Sequence, residues 1–195
     1  MYEFLQGTVQ ELTPTYAVLE CGSTGWLIHI SLQTYSQLQG KKESRLYVHQ
    51  IIREDAQLLY GFAEKAEREM FRLLISVSGV GAATARLLLS SLSAHELQQA
   101  IVTGNLRVLQ GVKGIGLKSA ERLVVELRDK FGKIQASDHL PSAKYNTSRE
   151  EALSALVTLG FARNMVEKLL DKIIVRNPQN TPTVEELIKQ ALREM

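Results

Sequence analysis

The sequence predicts a multi-domain α+β chain: a small five-stranded β-barrel, then a helical domain, then a three-helix bundle. Three observations carry this prediction. Short β-rich runs broken by turn residues fill positions 1–63 of the 195, and from Glu64 the apolar period becomes helical. A 35-residue repeat lies inside the helical part. Residues 134–147 show neither period and separate a last helical block. The resulting domains are 1–63, 64–135 and 148–195, with a linker at 136–147.

In the first region, strands are expected at 4–12, 16–21 and 26–30, with turns at Thr13-Pro14-Thr15 and Gly22-Ser23-Thr24-Gly25. A helical turn at 32–38 precedes strands at 45–52 and 57–62, whose tight connection carries Glu54 and Asp55. Five strands with a helix between the third and fourth suggest an OB-like barrel, and closure lets so short a segment bury a core without open edges.

The second region begins with a helix over 64–77, where Met70, Phe71, Leu74 and Val77 form one stripe. Helices follow at 82–92, 94–103, 106–109 and 117–131, and Ser93 with Glu96 has capping-box spacing. The third region reads as three helices of UBA-like form. Ser148 with Glu151 and Thr183 with Glu186 are further capping boxes, and Gly160 can end the first of these helices. A bundle of that size is marginal, so apolar residues such as Leu153, Leu156, Val157, Phe161, Leu169 and Leu170 are expected to leave a patch for a protein partner.

Composition narrows the function. Hydrophobic residues make up 45% and charged residues 23%, which excludes disorder over the whole chain. No apolar run reaches the ~18–20 residues of a membrane span, and the start lacks the pattern of a signal peptide. Cys21 alone can make neither an internal disulfide nor a thiolate cluster, so a cytoplasmic location is expected. Residues 64–135 carry eleven basic against seven acidic side chains, while 1–63 carry four against six and 136–195 eight against eight. The positive excess sits in the helical region, a mild footprint for a polyanion.

The repeat carries the chemistry. A shift of 35 residues sets Leu74 on Leu109, Val77 on Val112, Gly79 on Gly114, Val80 on Ile115 and Gly81 on Gly116, and continues from Thr84 on Ser119 to Leu92 on Leu127. Each copy is a helix end, a Gly-apolar-Gly turn and a second helix opening on small residues. Such a turn lets a phosphate approach the unpaired N–H groups and the positive dipole end of the following helix. Phosphate contacts hold a nucleic acid without reading bases. The expected set is Gly79, Val80, Gly81 and Ala82 in the first copy, and Gly114, Ile115, Gly116, Lys118 and Ser119 in the second. Val80 and Ile115 anchor the turns, and Lys118 and Arg122, four apart on one helical face, supply countercharge to the second copy. A dinucleotide fold is excluded because helices, not strands, precede the Gly pairs. A P-loop is excluded because Leu117 displaces Lys118 by one place and no Walker B partner exists. The four histidines are scattered, so no metal site, cofactor or catalytic set is expected.

These features together resemble the RuvA family, the Holliday-junction-binding subunits of the bacterial branch-migration machine. The most specific matches are Arg53-Glu54-Asp55-Ala56-Gln57-Leu58-Leu59-Tyr60-Gly61-Phe62 and Gly114-Ile115-Gly116-Leu117-Lys118-Ser119-Ala120-Glu121-Arg122-Leu123. The resemblance implies a homotetramer or octamer that holds a four-way DNA junction open. Glu54 and Asp55 would form a central acidic pin. The C-terminal bundle would bind the RuvB hexameric ATPase, with the RuvC resolvase as a further partner. Two departures stand out: Ala82-Ala83 occupies positions where the family often has Pro-Lys, and Leu117-Lys118 where it often has Lys-Lys. Two other readings of the residues remain. One is a helix–hairpin–helix DNA glycosylase or lyase using Lys118 and Asp138. The other is a single-strand-binding OB protein that stacks bases on Trp26, Tyr60 or Phe62.

Overall fold

The computed structural model describes residues 2–138, 143–176 and 182–194, with the backbone alone at 129, 132–138 and 143–147. The chain divides into two compact units, residues 1–137 and 138–195.

The first unit opens with β1 (Phe4–Leu12), β2 (Tyr16–Cys21), β3 (Thr24–Ile30), α1 (Leu32–Leu38), β4 (Glu43–Ile52) and β5 (Gln57–Phe62). The strands close a barrel in the order β1-β2-β3-β5-β4, with β4 returning to β1. All pairings are antiparallel except β3 with β5. A bulge between Val9 and Glu11 bends β1 where it pairs with β2. Alternation along the strands sends Ala17, Leu19, Ile28, Ile30, Leu46 and Val48 inward, and Leu38 of α1 packs on the same core. Ser31 caps α1 by accepting the Thr34 N–H.

Helices α2 (Lys65–Ile75), α3 (Ala82–Ser91), α4 (Ala94–Thr103), α5 (Leu106–Gln110) and α6 (Leu117–Asp138) complete the unit. Their core runs from Met70, Phe71 and Leu74 through Leu88, Leu97 and Leu109 to Leu123, Leu127 and Phe131. It does not stop at the barrel. Tyr60 and Phe62 of β5 stand 5.0 Å from the ring of Phe71 on α2, so the last barrel strand joins the helical core while the rest of the barrel keeps a core of its own. Polar ties reinforce this seam. Buried Glu67 on α2 accepts the hydroxyls of Ser31 and Thr34, buried Arg68 pairs with Glu3 at 2.6 Å, and Arg86 donates to the Thr15 carbonyl at 2.7 Å.

The second unit holds α7 (Ala143–Thr158), α8 (Arg163–Arg176) and α9 (Val184–Glu194) around Ala152, Leu153, Leu156, Val166, Leu170, Ile173, Leu187 and Ala191. Gly160, at φ 100°, ends α7, and the Phe161 N–H reaches back to the Leu156 carbonyl. Thr183 and Glu186 exchange both capping-box bonds.

Two expectations need correction here. The linker at 136–147 is helical at both ends, because α6 continues to Asp138 and α7 starts at Ala143; residues 139–142 lie outside the described residues. Gln135 and Ala136 are good helix formers, and helix needs no apolar stripe where propensity suffices. Ser148 therefore lies inside α7 rather than capping it. In the sequence, Pro178 and Pro182 bracket a turn, but residues 177–181 lie outside the described residues.

Candidate nucleic-acid interface

The two Gly-apolar-Gly turns are one structure built twice. In the first, the Val77 N–H bonds the Leu74 carbonyl, Val80 bonds Val77, and Ala85 bonds Gly81 at 3.1, 3.0 and 2.9 Å. In the second, Val112 bonds Leu109, Ile115 bonds Val112, and Ala120 bonds Gly116 at 3.3, 3.1 and 3.0 Å. These three bonds recur 35 residues on. Gly79 and Gly114 take φ of 86° and 92°, a left-handed conformation that an L side chain adopts only under strain. Val80 and Ile115 are buried in the helical core and lock each turn against its own helices.

The turns leave donors pointing outward. The first bond within α3 belongs to Ala85, so the N–H groups of residues 82–84 have no helical partner, and Gly81 caps the helix without a side chain. In α6 the first such bond belongs to Ala120, which leaves residues 117–119 in the same state. A Cβ at Gly81, Gly114 or Gly116 would meet nothing within 4 Å. Each terminus thus combines an open approach, unpaired N–H groups and the positive dipole end of a helix of ten or more residues.

The structure redistributes the expected residues. Val80 and Ile115 have buried side chains and internally bonded N–H groups, so they shape the turns and offer no donor to a ligand. The Ala82 side chain is buried and only its backbone faces out. Lys118 is exposed beside the second turn and Ser119 is half-buried. Arg122 corrects the expectation that it serves the second copy: its Nη1 donates to the Ser78 carbonyl at 2.9 Å, on the first turn. Lys130, which pattern reading missed, joins it there, with Nζ 3.1 Å from the Ser76 hydroxyl. Both contacts cross more than forty residues of sequence, and no local signal announces them.

Glu54 and Asp55 sit exposed at the tip of the β4–β5 hairpin, closed by an Arg53 N–H to Ala56 carbonyl bond of 2.8 Å. Neither carboxylate forms an ion pair among the described residues, so two unpaired carboxylates stand at the tip beside the exposed Arg53. The aromatic side chains that a single-strand binder would stack on are occupied. Tyr60 and Phe62 are buried, and Trp26 packs on the barrel core and edge-on to Tyr2 at 5.4 Å. The lyase reading finds no support in its pair: Lys118 is exposed, without the apolar pocket that activates a Schiff-base lysine, and Asp138 ends a helix.

In the second unit the expected partner patch is also redrawn. Leu153, Leu156 and Leu170 are buried in the bundle core, because they occupy the inward phase of α7 and α8, and they present nothing to a partner. Phe161 and Leu169 are partly covered and Val157 is exposed. Leu159, Met165, Val175 and Leu192 are exposed apolar residues that were not anticipated. A shallow groove is lined by Met165, Lys168, Leu169, Lys172 and Glu194. Among the described residues no helix is long and apolar enough to cross a membrane, and no three His, Cys, Asp or Glu side chains cluster as metal ligands.

Known proteins share this order of parts from end to end. Residues 1–61 match the RuvA N terminal domain, 71–129 the SAM-like helix-hairpin-helix tandem, and 147–195 the RuvA, C-terminal domain. The Holliday junction branch migration complex subunit RuvA of Christiangramia forsetii is 46% identical over 195 residues, spanning all of both chains. Its counterpart in Bacteroides thetaiotaomicron is 46% identical over 204 residues, again spanning both. That of Parabacteroides distasonis is 47% identical over 196 residues and 99% of each chain. With barrel, paired hairpins and terminal bundle matched in order and identity sustained over the full length, the chain belongs to the RuvA family.

Proposed function

We propose that this chain binds four-way (Holliday) DNA junctions as a homotetramer, holds them open, and recruits the RuvB ATPase for branch migration in homologous recombination and DNA repair. It is a non-catalytic subunit; ATP hydrolysis belongs to the motor. The observation that carries the reading is the pair of hairpins in which the same three turn bonds recur 35 residues apart, each aiming unpaired N–H groups outward. Such termini take phosphate oxygens of any sequence, as a protein that follows a moving junction requires.

The parts divide the work. The barrel carries the tetramer contacts and the Glu54–Asp55 tip, whose charge repels phosphates at the crossover and favours the open junction over a continuous duplex. The helical region grips the arms through Gly79, Gly81, Ala82, Gly114, Gly116, Lys118 and Ser119. The bundle 148–195 docks the motor through its exposed apolar residues, RuvC being a further partner, and the protein works in the cytoplasm. Competition between labelled four-way, duplex and single-stranded DNA, with the mass of the complex, tests the reading. Preferred binding of the four-way form by a tetramer supports it, and preference for single strands refutes it.

A further inference from the structure

We propose that Arg122, although it stands on the helix of the second hairpin, serves the first: it braces the Ser78 carbonyl and offers its remaining donors to the phosphate that the N-terminus of α3 holds. This rests on the backbone-grip reading above and adds to it the source of the first hairpin's charge.

The first hairpin, residues 76–84, contains no basic side chain, whereas the second, 111–119, has Lys113 and Lys118. The basic residues flanking the first hairpin are committed elsewhere. Arg72 pairs with Glu69 at 3.0 Å, and Arg86 donates to the barrel at Thr15. Arg122 fills the gap. Its Nη1 lies 2.9 Å from the Ser78 carbonyl and 3.6 Å from where a Cβ on Gly79 would stand. The guanidinium therefore sits against the turn whose glycine admits a ligand. Arg122 is exposed and makes no ion pair among the described residues. A guanidinium has five N–H donors, and one suffices for the carbonyl; the others form a fork that matches phosphate oxygens. Lys130, at Ser76 Oγ, extends the same positive edge. The position equivalent to Arg122 in the first copy is Leu87, so the arginine occurs once and lies against the hairpin that lacks its own charge.

The test is a salt titration of four-way-junction binding by the full chain. Each phosphate neutralised contributes about 0.9 to the slope of log affinity against log salt. Arg122→Ala should lower that slope by about one for each first hairpin engaged, while Arg122→Lys keeps most of it. The melting temperature should stay close to that of the parent, because the lost bond is exposed. Ala83→Lys places an ammonium on the exposed second position of α3. It should restore the slope in the Arg122→Ala background and change it little in the parent, where the phosphate is already neutralised. An unchanged slope for Arg122→Ala overturns the proposal, as does an equal gain from Ala83→Lys in both backgrounds. Failure of the parent chain to bind junctions would instead refute the function proposed above, and this inference with it.

Discussion

Gly114→Asp measured against Gly114→Ala isolates the charge sensitivity of the phosphate turn. Gly114 holds φ at 92°, so either side chain introduces about 1–2 kcal/mol of backbone strain. Nothing lies within 4 Å of the Cβ position, so neither variant adds a clash. A domain stabilised by about 5–15 kcal/mol tolerates that strain, and the two variants should melt at similar temperatures. They differ by one negative charge. A phosphate held by the N–H groups of residues 117–119 would stand about 4 Å from the new carboxylate, a repulsion of about 1 kcal/mol in full water screening and about 4 kcal/mol at an effective dielectric constant of 20. The Asp variant should therefore bind a labelled junction about five-fold to about a thousand-fold more weakly than the Ala variant, per engaged hairpin. Fluorescence anisotropy at one salt concentration reads the difference. Equal affinities would refute the argument that phosphate approaches this turn. Gly79 is the less clean position, since an aspartate there would meet Arg122 and be partly neutralised.

Three further outcomes are expected. Glu54→Gln with Asp55→Asn should keep or raise affinity for all DNA forms while narrowing the preference for junction over duplex; weaker binding to every form would assign those carboxylates to folding or assembly. A chain ended after Ala136 retains Phe131 and the rest of the first unit's core, so it should melt within a few degrees of that unit in the parent and still bind junctions, yet fail to capture RuvB in a pull-down. Burial pushes the Glu67 carboxyl above the ordinary carboxylate range, against the opposing hydrogen bonds of Ser31 and Thr34. Its folded form thus holds a proton more tightly than its unfolded form, and stability from this group is full at low pH and lost as pH rises through the raised value. Relative to Glu67→Gln, the parent should gain melting temperature as pH falls from neutral toward the ordinary carboxylate range; parallel pH profiles would sink this.

The barrel was readable because its strands are short, alternate in polarity and are punctuated by turn residues: β1, β2, α1 and β5 lie where the pattern placed them. The repeated hairpins were readable for a different reason. Their backbone bonds depend on local spacing, and the spacing is in the sequence twice. Features that depend on distant packing were not. Arg122 looked like a neighbour of Lys118 because helical phase sets them on one face, but its long side chain reaches a carbonyl 44 residues earlier. In the bundle, apolar character could not separate Leu156, which is enclosed, from Val157, which is exposed, because that distinction follows from the phase of α7 against its neighbours. The helical ends of the expected linker escaped notice because periodicity reports burial, and helix can persist without an apolar stripe.

The shared aromatic interior has a mechanical consequence. At one end β5 follows the acidic tip; at the other, its Tyr60 and Phe62 are wedged against Phe71 of α2. Close-packed interiors have low compressibility and transmit strain. When a duplex drawn past the hairpins pulls on the helices, the load passes through those rings into β5, with no loop between them to act as a spring. On the proposed assignment of pin and grips, the two would then move as one lever, and torque delivered at the arms would reach the crossover with little lost to internal bending.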